Sequence, residues 1–140
     1  MRPYVRPVHY YETDMMGVVH HANYIHWMEE ARIDFMDQLG FPYSVMEAKG
    51  LISPVVGLSC TYKKPCKFGD EITVAVRVES LGGVKLTLAY EMRGKDGDIV
   101  CEAKSAHTFL DKNGRFVRLR REEPDFCAAI DALLNATATD

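Results

Sequence analysis

Asp14 stands in a short irregular stretch, Glu12 to Gly17, and His20, His21, Ala22 and Asn23 follow where a helical repeat begins. A carboxylate beside a helix start is a usable pair of groups. The carboxylate can act as base or nucleophile. The first N–H groups of a helix lack intrahelical partners and carry the positive end of its dipole, so they can hold a developing oxyanion. Gly17 gives the chain freedom to turn between the two. The plainer reading of the same residues is structural: Asp14 caps a turn and Asn23 caps the helix. His20, His21 and His26, with Glu30 four residues beyond His26, invite a metal reading. A metal site needs three or four convergent ligands, and no H-E-x-x-H pattern occurs, so no metal is expected. Gly57 to Thr61 lacks the second glycine of a nucleophile elbow, and neither G-x-G-x-x-G nor a P-loop is present.

The elements that must position these residues follow from pattern. Tyr4 to Tyr11, with Val5, Val8, Tyr10 and Tyr11, predicts a strand. Ile25, Met28, Ala31 or Arg32, Phe35 and Leu39 recur at steps of three and four, predicting a helix over 22–39 that Gly40 and Pro42 end. Then come β-rich runs at Val55-Val56, Thr73 to Val78, Lys85 to Tyr90 and Ile99 to Leu110. Gly69-Asp70, Gly82-Gly83, the stretch Gly94 to Asp98, and Asn113-Gly114 punctuate them as turns. Glu122 to Leu134 predicts a C-terminal helix entered through Pro124. One strand, one long helix and four strands joined by short turns imply antiparallel neighbours. The class is α+β: a curved antiparallel sheet wrapped around one long central helix.

The 140 residues suit a single domain over 1–140, and 47% apolar content excludes a disordered tail protein. A net charge of -3 argues against non-specific nucleic-acid binding. No apolar run approaches the roughly 20 residues of a membrane helix, and the N-terminus has no signal-peptide core. No nucleic-acid partner and no membrane insertion are expected, and the cytoplasm is the expected location. The four cysteines, Cys60, Cys66, Cys101 and Cys127, read as reduced and mostly buried.

The string Tyr10 to Tyr24 (YYETDMMGVVHHANY), followed by Trp27 to Arg32 (WMEEAR), resembles the signature of the 4-hydroxybenzoyl-CoA thioesterase family, in particular its YbgC-type branch. The match runs without gaps from Asp14 to Arg32. Tyr62 to Pro65, Gly69 to Glu71 and Gly97 to Phe109 resemble the family as well, so the likeness covers residues 4–120. It implies the hotdog fold and an acyl-CoA thioesterase that needs no cofactor and acts on an acyl-CoA or acyl-carrier-protein thioester. By the same resemblance Asp14 is the catalytic carboxylate and the His21 N–H polarises the thioester carbonyl. Gly17, Asn23 and Tyr24 are the implied substrate-binding residues, Asn23 and Tyr24 lining the acyl end and Gly17 standing in the connecting turn. Glu29 and Arg32 match the pattern too, and at i, i+3 they read as an ion pair on the helix surface or at an interface. In some relatives basic residues near the turn at Gly82-Gly83 meet the CoA phosphates. Here only Lys85 is near, and Arg115, Arg118, Arg120 and Arg121, or Lys63 and Lys64, could replace them. A charge run is as readily a solvated face.

One carboxylate can suffice for this reaction, because a thiol with a pKa near 8.5 leaves as a thiolate without much help from an acid. Two rivals stand beside it: a hotdog hydratase or dehydratase recruiting His20 or His21, and a non-catalytic acyl-CoA binding module. A single curved sheet leaves open edges that pairing between protomers removes, and the family is dimeric or a dimer of dimers. A homodimer or homotetramer is therefore expected.

Overall fold

The computed structural model describes residues 1–139, with side chains to 136. Five strands, β1 (Tyr4–Pro7), β2 (Val55–Tyr62), β3 (Glu71–Leu81), β4 (Lys85–Arg93) and β5 (Ile99–Thr108), form one sheet in the order β1-β3-β4-β5-β2. β1 lies antiparallel on β3, with Tyr4 opposite Val74 and Pro7 opposite Glu71. Short turns at residues 82–84 and 94–98 make β3, β4 and β5 an antiparallel meander; the Gly82 N–H closes one turn on the Lys85 carbonyl and the Gly94 N–H the other on Asp98. β2 and β5 also run antiparallel: Thr108 N–H donates to the Pro54 carbonyl and Lys63 N–H to the Val100 carbonyl. The α+β class and the antiparallel sheet are as the sequence implies.

The long helix α1 (Ala22–Leu39) has the expected bounds. Its buried face is set by Tyr24, Trp27, Met28, Ala31 and Phe35, whereas Ile25 is exposed. The expected row is thus buried at Met28, Ala31 and Phe35, while at its start Tyr24 and Trp27 take the buried positions and Ile25 does not. Gly40, at φ +93, ends the helix in a Schellman arrangement: Phe41 N–H donates to the Met36 carbonyl and Gly40 N–H to Asp37.

Three segments differ from expectation. The strand over Tyr4 to Tyr11 stops at Pro7, and Tyr10–Glu12 form a single 3-10 turn. The turn is locked because Glu12 N–H donates to the His9 carbonyl while the Glu12 carboxylate accepts from the His9 N–H. A short helix α2 (Tyr43–Ala48) follows Pro42, which fixes its entry rather than only ending α1. The C-terminal helix is two: α3 (Leu119–Glu122) and α4 (Pro124–Thr139). The break falls on Glu123, since a residue preceding proline is pushed out of helical geometry.

Packing groups the chain into two compact units, one of residues 1–35, 60–76 and 90–103, the other of 36–59, 77–89 and 104 onward. The core of the first is built on Trp27, Met28, Ile72, Val74, Met92 and Cys101. The second is centred on Phe126, which meets Phe41 and Phe109 edge to face at 5.4 and 5.7 Å. All four cysteines are free thiols; Cys66, Cys101 and Cys127 are buried and Cys60 is half-buried, as expected. Among the described residues no helix is long and apolar enough to cross a membrane.

Candidate active site

Asp14 opens a tight loop. Its N–H donates to the Val18 carbonyl at 2.8 Å, its own carbonyl accepts from Gly17 at 3.1 Å, and Thr13 bridges Val19 across the base. Gly17 adopts φ +80, a conformation that a side chain would strain. The half-buried Asp14 carboxylate uses Oδ1 to accept from the Met16 N–H at 2.8 Å, an Asx turn. Oδ2 accepts no hydrogen bond among the described residues. The two methionines at the loop tip, Met15 and Met16, stand fully in solvent.

The loop leads straight into the start of α1. The His20 side chain accepts from the Ala22 N–H through Nδ1 at 3.2 Å, and the His20 carbonyl accepts from the Asn23 N–H at 3.0 Å. These bonds satisfy the N–H groups that follow His21. The His21 N–H itself donates to no group among the described residues. Its ring stacks on His20 with centroids 4.3 Å apart, and its carbonyl accepts from the Tyr62 hydroxyl at 3.2 Å.

Beside this helix start lies an open cavity of about 380 Å³. Val19, His21, Tyr24, Tyr62 and Pro65 form its walls, with Lys63 and Lys64 at the side. Tyr62 meets Tyr24 edge to face at 5.0 Å, so two aromatic rings frame one wall. Burial and the neighbouring Cys66 thiol push the Tyr24 hydroxyl well above the ordinary tyrosine range. Burial and the Cys60 thiol push Tyr62 up to about 12, so both phenols are neutral donors at neutral pH.

The sequence-nominated residues therefore divide. His21 and Tyr24 line the cavity. Asp14 and Gly17 are in the loop whose base, at Val19, forms part of the cavity wall. Asn23 is not among the lining residues: its amide donates to the Glu12 carbonyl at 2.8 Å, which ties the helix start to the preceding turn. Glu29 forms no ion pair among the described residues, so the expected pairing with Arg32 is not made within the chain. Glu30 takes that role towards Arg6, and Arg32 reaches instead towards the Tyr90 hydroxyl at 3.5 Å.

Sequence reasoning missed what holds the loop in place. The Glu12 side chain is 3% exposed and accepts from Arg6 Nη1 at 2.6 Å, from Trp27 Nε1 at 2.8 Å and from the His9 N–H at 2.8 Å. Arg6, 5.0 Å from the Trp27 ring centre, also donates to Glu30, which accepts from Tyr4 as well. Burial alone would raise the Glu12 carboxyl; the hydrogen bonds from Arg6, His9 and Trp27 outweigh it and hold the group below its ordinary range. The one available signal was an arginine and a glutamate inside otherwise apolar, aromatic sequence. Among the described residues no three His, Cys, Asp or Glu side chains cluster as metal ligands.

Comparison with known proteins bears on the family and the fold. The YneP protein of Bacillus subtilis, whose name assigns it provisionally to the acyl-CoA thioesterases, is 39% identical over 125 residues, covering 89% of this chain and 91% of its own. The acyl-CoA thioesterase YbgC of Haemophilus influenzae is 33% identical over 87 residues, 61% of this chain and 62% of its own. The solved DHNA-CoA thioesterase of Staphylococcus aureus superposes with a TM-score of 0.93 at 30% identity, covering 99% of this chain and 93% of its own, which establishes the hotdog fold. The pattern of the thioesterase-like superfamily matches residues 8–134, and the chain belongs to that family.

Proposed function

We propose that the protein is an acyl-CoA thioesterase that uses Asp14 and the His21 N–H. The observation that carries this reading is the half-buried carboxylate with an open Oδ2, joined by one loop to a helix start whose first N–H has no partner, beside a cavity. The relatives' names, acyl-CoA thioesterase and DHNA-CoA thioesterase, support the same substrate class.

In the reaction, water adds to the thioester carbonyl while Asp14 takes its proton. The oxyanion that forms is stabilised by the His21 N–H at the positive end of α1. When the tetrahedral species collapses, the C–S bond breaks, the sulfur leaves with the electron pair, the carboxylic acid is released, and Asp14 gives its proton to the departing thiolate or to solvent. Attack by the Asp14 carboxylate itself, through an anhydride that water then opens, uses the same groups. Tyr24 walls the acyl end, Gly17 allows the turn, and Asn23 acts at one remove by fixing Glu12. No step calls for a cofactor. We place the enzyme in the cytoplasm, where its four thiols stay reduced. Incubating the purified chain with a panel of acyl-CoA or acyl-carrier-protein esters and a thiol reagent should show stoichiometric release of free thiol. Hydration of an enoyl ester without thiol release, or binding without turnover, overturns the proposal.

The working form we propose is a homodimer, or a tetramer made of two. β2 is an edge strand with one row of backbone groups unpaired, and Val55, Val56 and Leu58 on it are 46%, 55% and 42% exposed. A long apolar edge of this kind is an aggregation hazard unless a second copy covers it. Light scattering after size exclusion should give a dimer or tetramer at micromolar concentration, and Leu58→Lys should shift it towards monomer. A parent protein that is a clean monomer and still hydrolyses thioesters rules out the paired form.

A further inference from the structure

The peptide unit that joins His21 to Ala22 is held at both ends by side chains. The Tyr62 hydroxyl donates to the His21 carbonyl at 3.2 Å, and the Ala22 N–H donates to Nδ1 of His20 at 3.2 Å. Neither bond belongs to the helix ladder, which leaves the first N–H groups of a helix to water or to a capping side chain. Both rings are themselves supported. Tyr62, the last residue of β2, meets Tyr24 edge to face at 5.0 Å and the His21 ring at 6.4 Å. Burial and the Cys60 thiol keep its hydroxyl protonated at neutral pH, so it is available as a donor. The His20 ring stacks on that of His21 at 4.3 Å, and a neutral imidazole that accepts at Nδ1 carries its proton on Nε2.

We propose that Tyr62 and His20 are positioning residues for thioester hydrolysis: by clamping the His21–Ala22 peptide unit at its two ends they hold the His21 N–H in the direction in which it meets the developing oxyanion. This rests on the thioesterase reading above and adds to it the groups that aim the donor. The preceding peptide plane, which carries the His21 N–H, has its own carbonyl, that of His20, on the Asn23 N–H at 3.0 Å. The clamped plane beside it removes the remaining freedom to rock. Such fixing matters because an oxyanion donor works by being in place before the charge develops, and a misplacement of about 1 Å can cost about a hundredfold in rate. With the Ala22 N–H taken by His20, it does not compete with His21 for the oxyanion.

The test uses the full chain and an acyl-CoA ester that it cleaves. Tyr62→Phe keeps the ring against Tyr24 and removes only the hydroxyl. It should lower kcat about tenfold and leave KM within about twofold, with Tm moved by only a few degrees. His20→Ala should do the same, and His20→Asn should restore most of the loss, because an Asn side-chain oxygen can accept from an N–H two residues on. Since both side chains hold one peptide unit, Tyr62→Phe with His20→Ala should lose much less than the product of the single losses. Affinity for a trifluoroacetonyl thioether of CoA, whose hydrated ketone resembles the tetrahedral species, should fall by the same factor as kcat, while affinity for CoA itself stays constant. Losses that multiply mean that Tyr62 meets the substrate itself, and a rise in KM at constant kcat means that it only shapes the cavity; either result overturns the proposal, as does parental activity in both single variants. If the parent releases thiol from no ester, it is the thioesterase reading that has failed. Nuclear magnetic resonance then decides the clamp separately, since labelling His carbonyl carbons and Ala nitrogens singles out the one His–Ala bond in the sequence, His21–Ala22. Its carbonyl resonance should move upfield in Tyr62→Phe and its amide exchange should quicken in His20→Ala; no change in either overturns the clamp.

Discussion

The Asp14→Asn variant should fold as the parent does and hydrolyse acyl-CoA with kcat lowered at least about a hundredfold, the usual contribution of a positioned general base. The substitution is informative because of how Asp14 is held. The Asx turn uses only Oδ1, as an acceptor for the Met16 N–H, and the Asn side-chain oxygen can accept the same bond. The loop is also closed by main-chain bonds, Asp14 to Val18 and Gly17 to Asp14, which the change does not touch. What is lost is the charge and basicity of Oδ2. Stability should therefore change by no more than about 1 kcal/mol, the scale of a turn or cap contact. If Asp14 were only a turn residue, the pattern would reverse, with some stability lost and turnover kept. A folded variant within about threefold of the parent in kcat means that the base is elsewhere, and the stacked His20–His21 pair is then the place to look.

Why the loop and helix start were readable from sequence, while their support was not, comes down to the range of the interactions. Asp14, Gly17 and the onset of α1 are specified within about ten consecutive residues, by a turn former, a positive-φ glycine and a change to helical period. The meander β3-β4-β5 is likewise local, because short glycine turns leave no other pairing. Position within the sheet is not local. Nothing in the run Val55 to Tyr62 says that β2 adds at the far side of β5 and remains an edge. Met28, Ala31 and Phe35 lie on the buried face of α1 as the repeat implies, but at its first turn Tyr24 is buried in place of Ile25, because both fit a repeat of 3.6 about equally well and only the bulk they meet decides. The network of Tyr4, Arg6, Glu12, Trp27 and Glu30 joins β1, the 3-10 turn and α1 across separations of up to 26 residues. Sequence periodicity places charged residues on the outside, so a buried Arg6 at 5% exposure runs against the only rule available.

That network supplies the second large effect. Glu12→Gln keeps the shape of the side chain but removes the charge that faces Arg6, leaving the buried guanidinium with Glu30 alone. Removing one partner of a buried pair typically costs about 3–5 kcal/mol. The remaining Glu30 contact puts the expected loss near the lower end, a fall in Tm of roughly 10 °C for a chain of this size. The pH dependence identifies the cause. The folded-state pKa of Glu12 lies below its ordinary 4.5, so its contribution to stability is complete above that value and is lost as pH falls through the folded pKa. The parent should therefore lose stability faster than Glu12→Gln below about pH 4.5, and the two melting curves should converge in acid. Replacing both partners, Arg6→Met with Glu12→Leu, should recover much of the loss in Tm, because no charge is then left buried without its partner. The same double variant should not recover activity to the same extent. Glu12 also accepts from the His9 N–H through its carboxylate, and this bond locks the turn that delivers the chain to Asp14. A stable double variant with parental kcat would mean that the network serves folding alone and that the bonds from the His20 N–H and the Asn23 side-chain amide to the Glu12 carbonyl are enough to aim the loop.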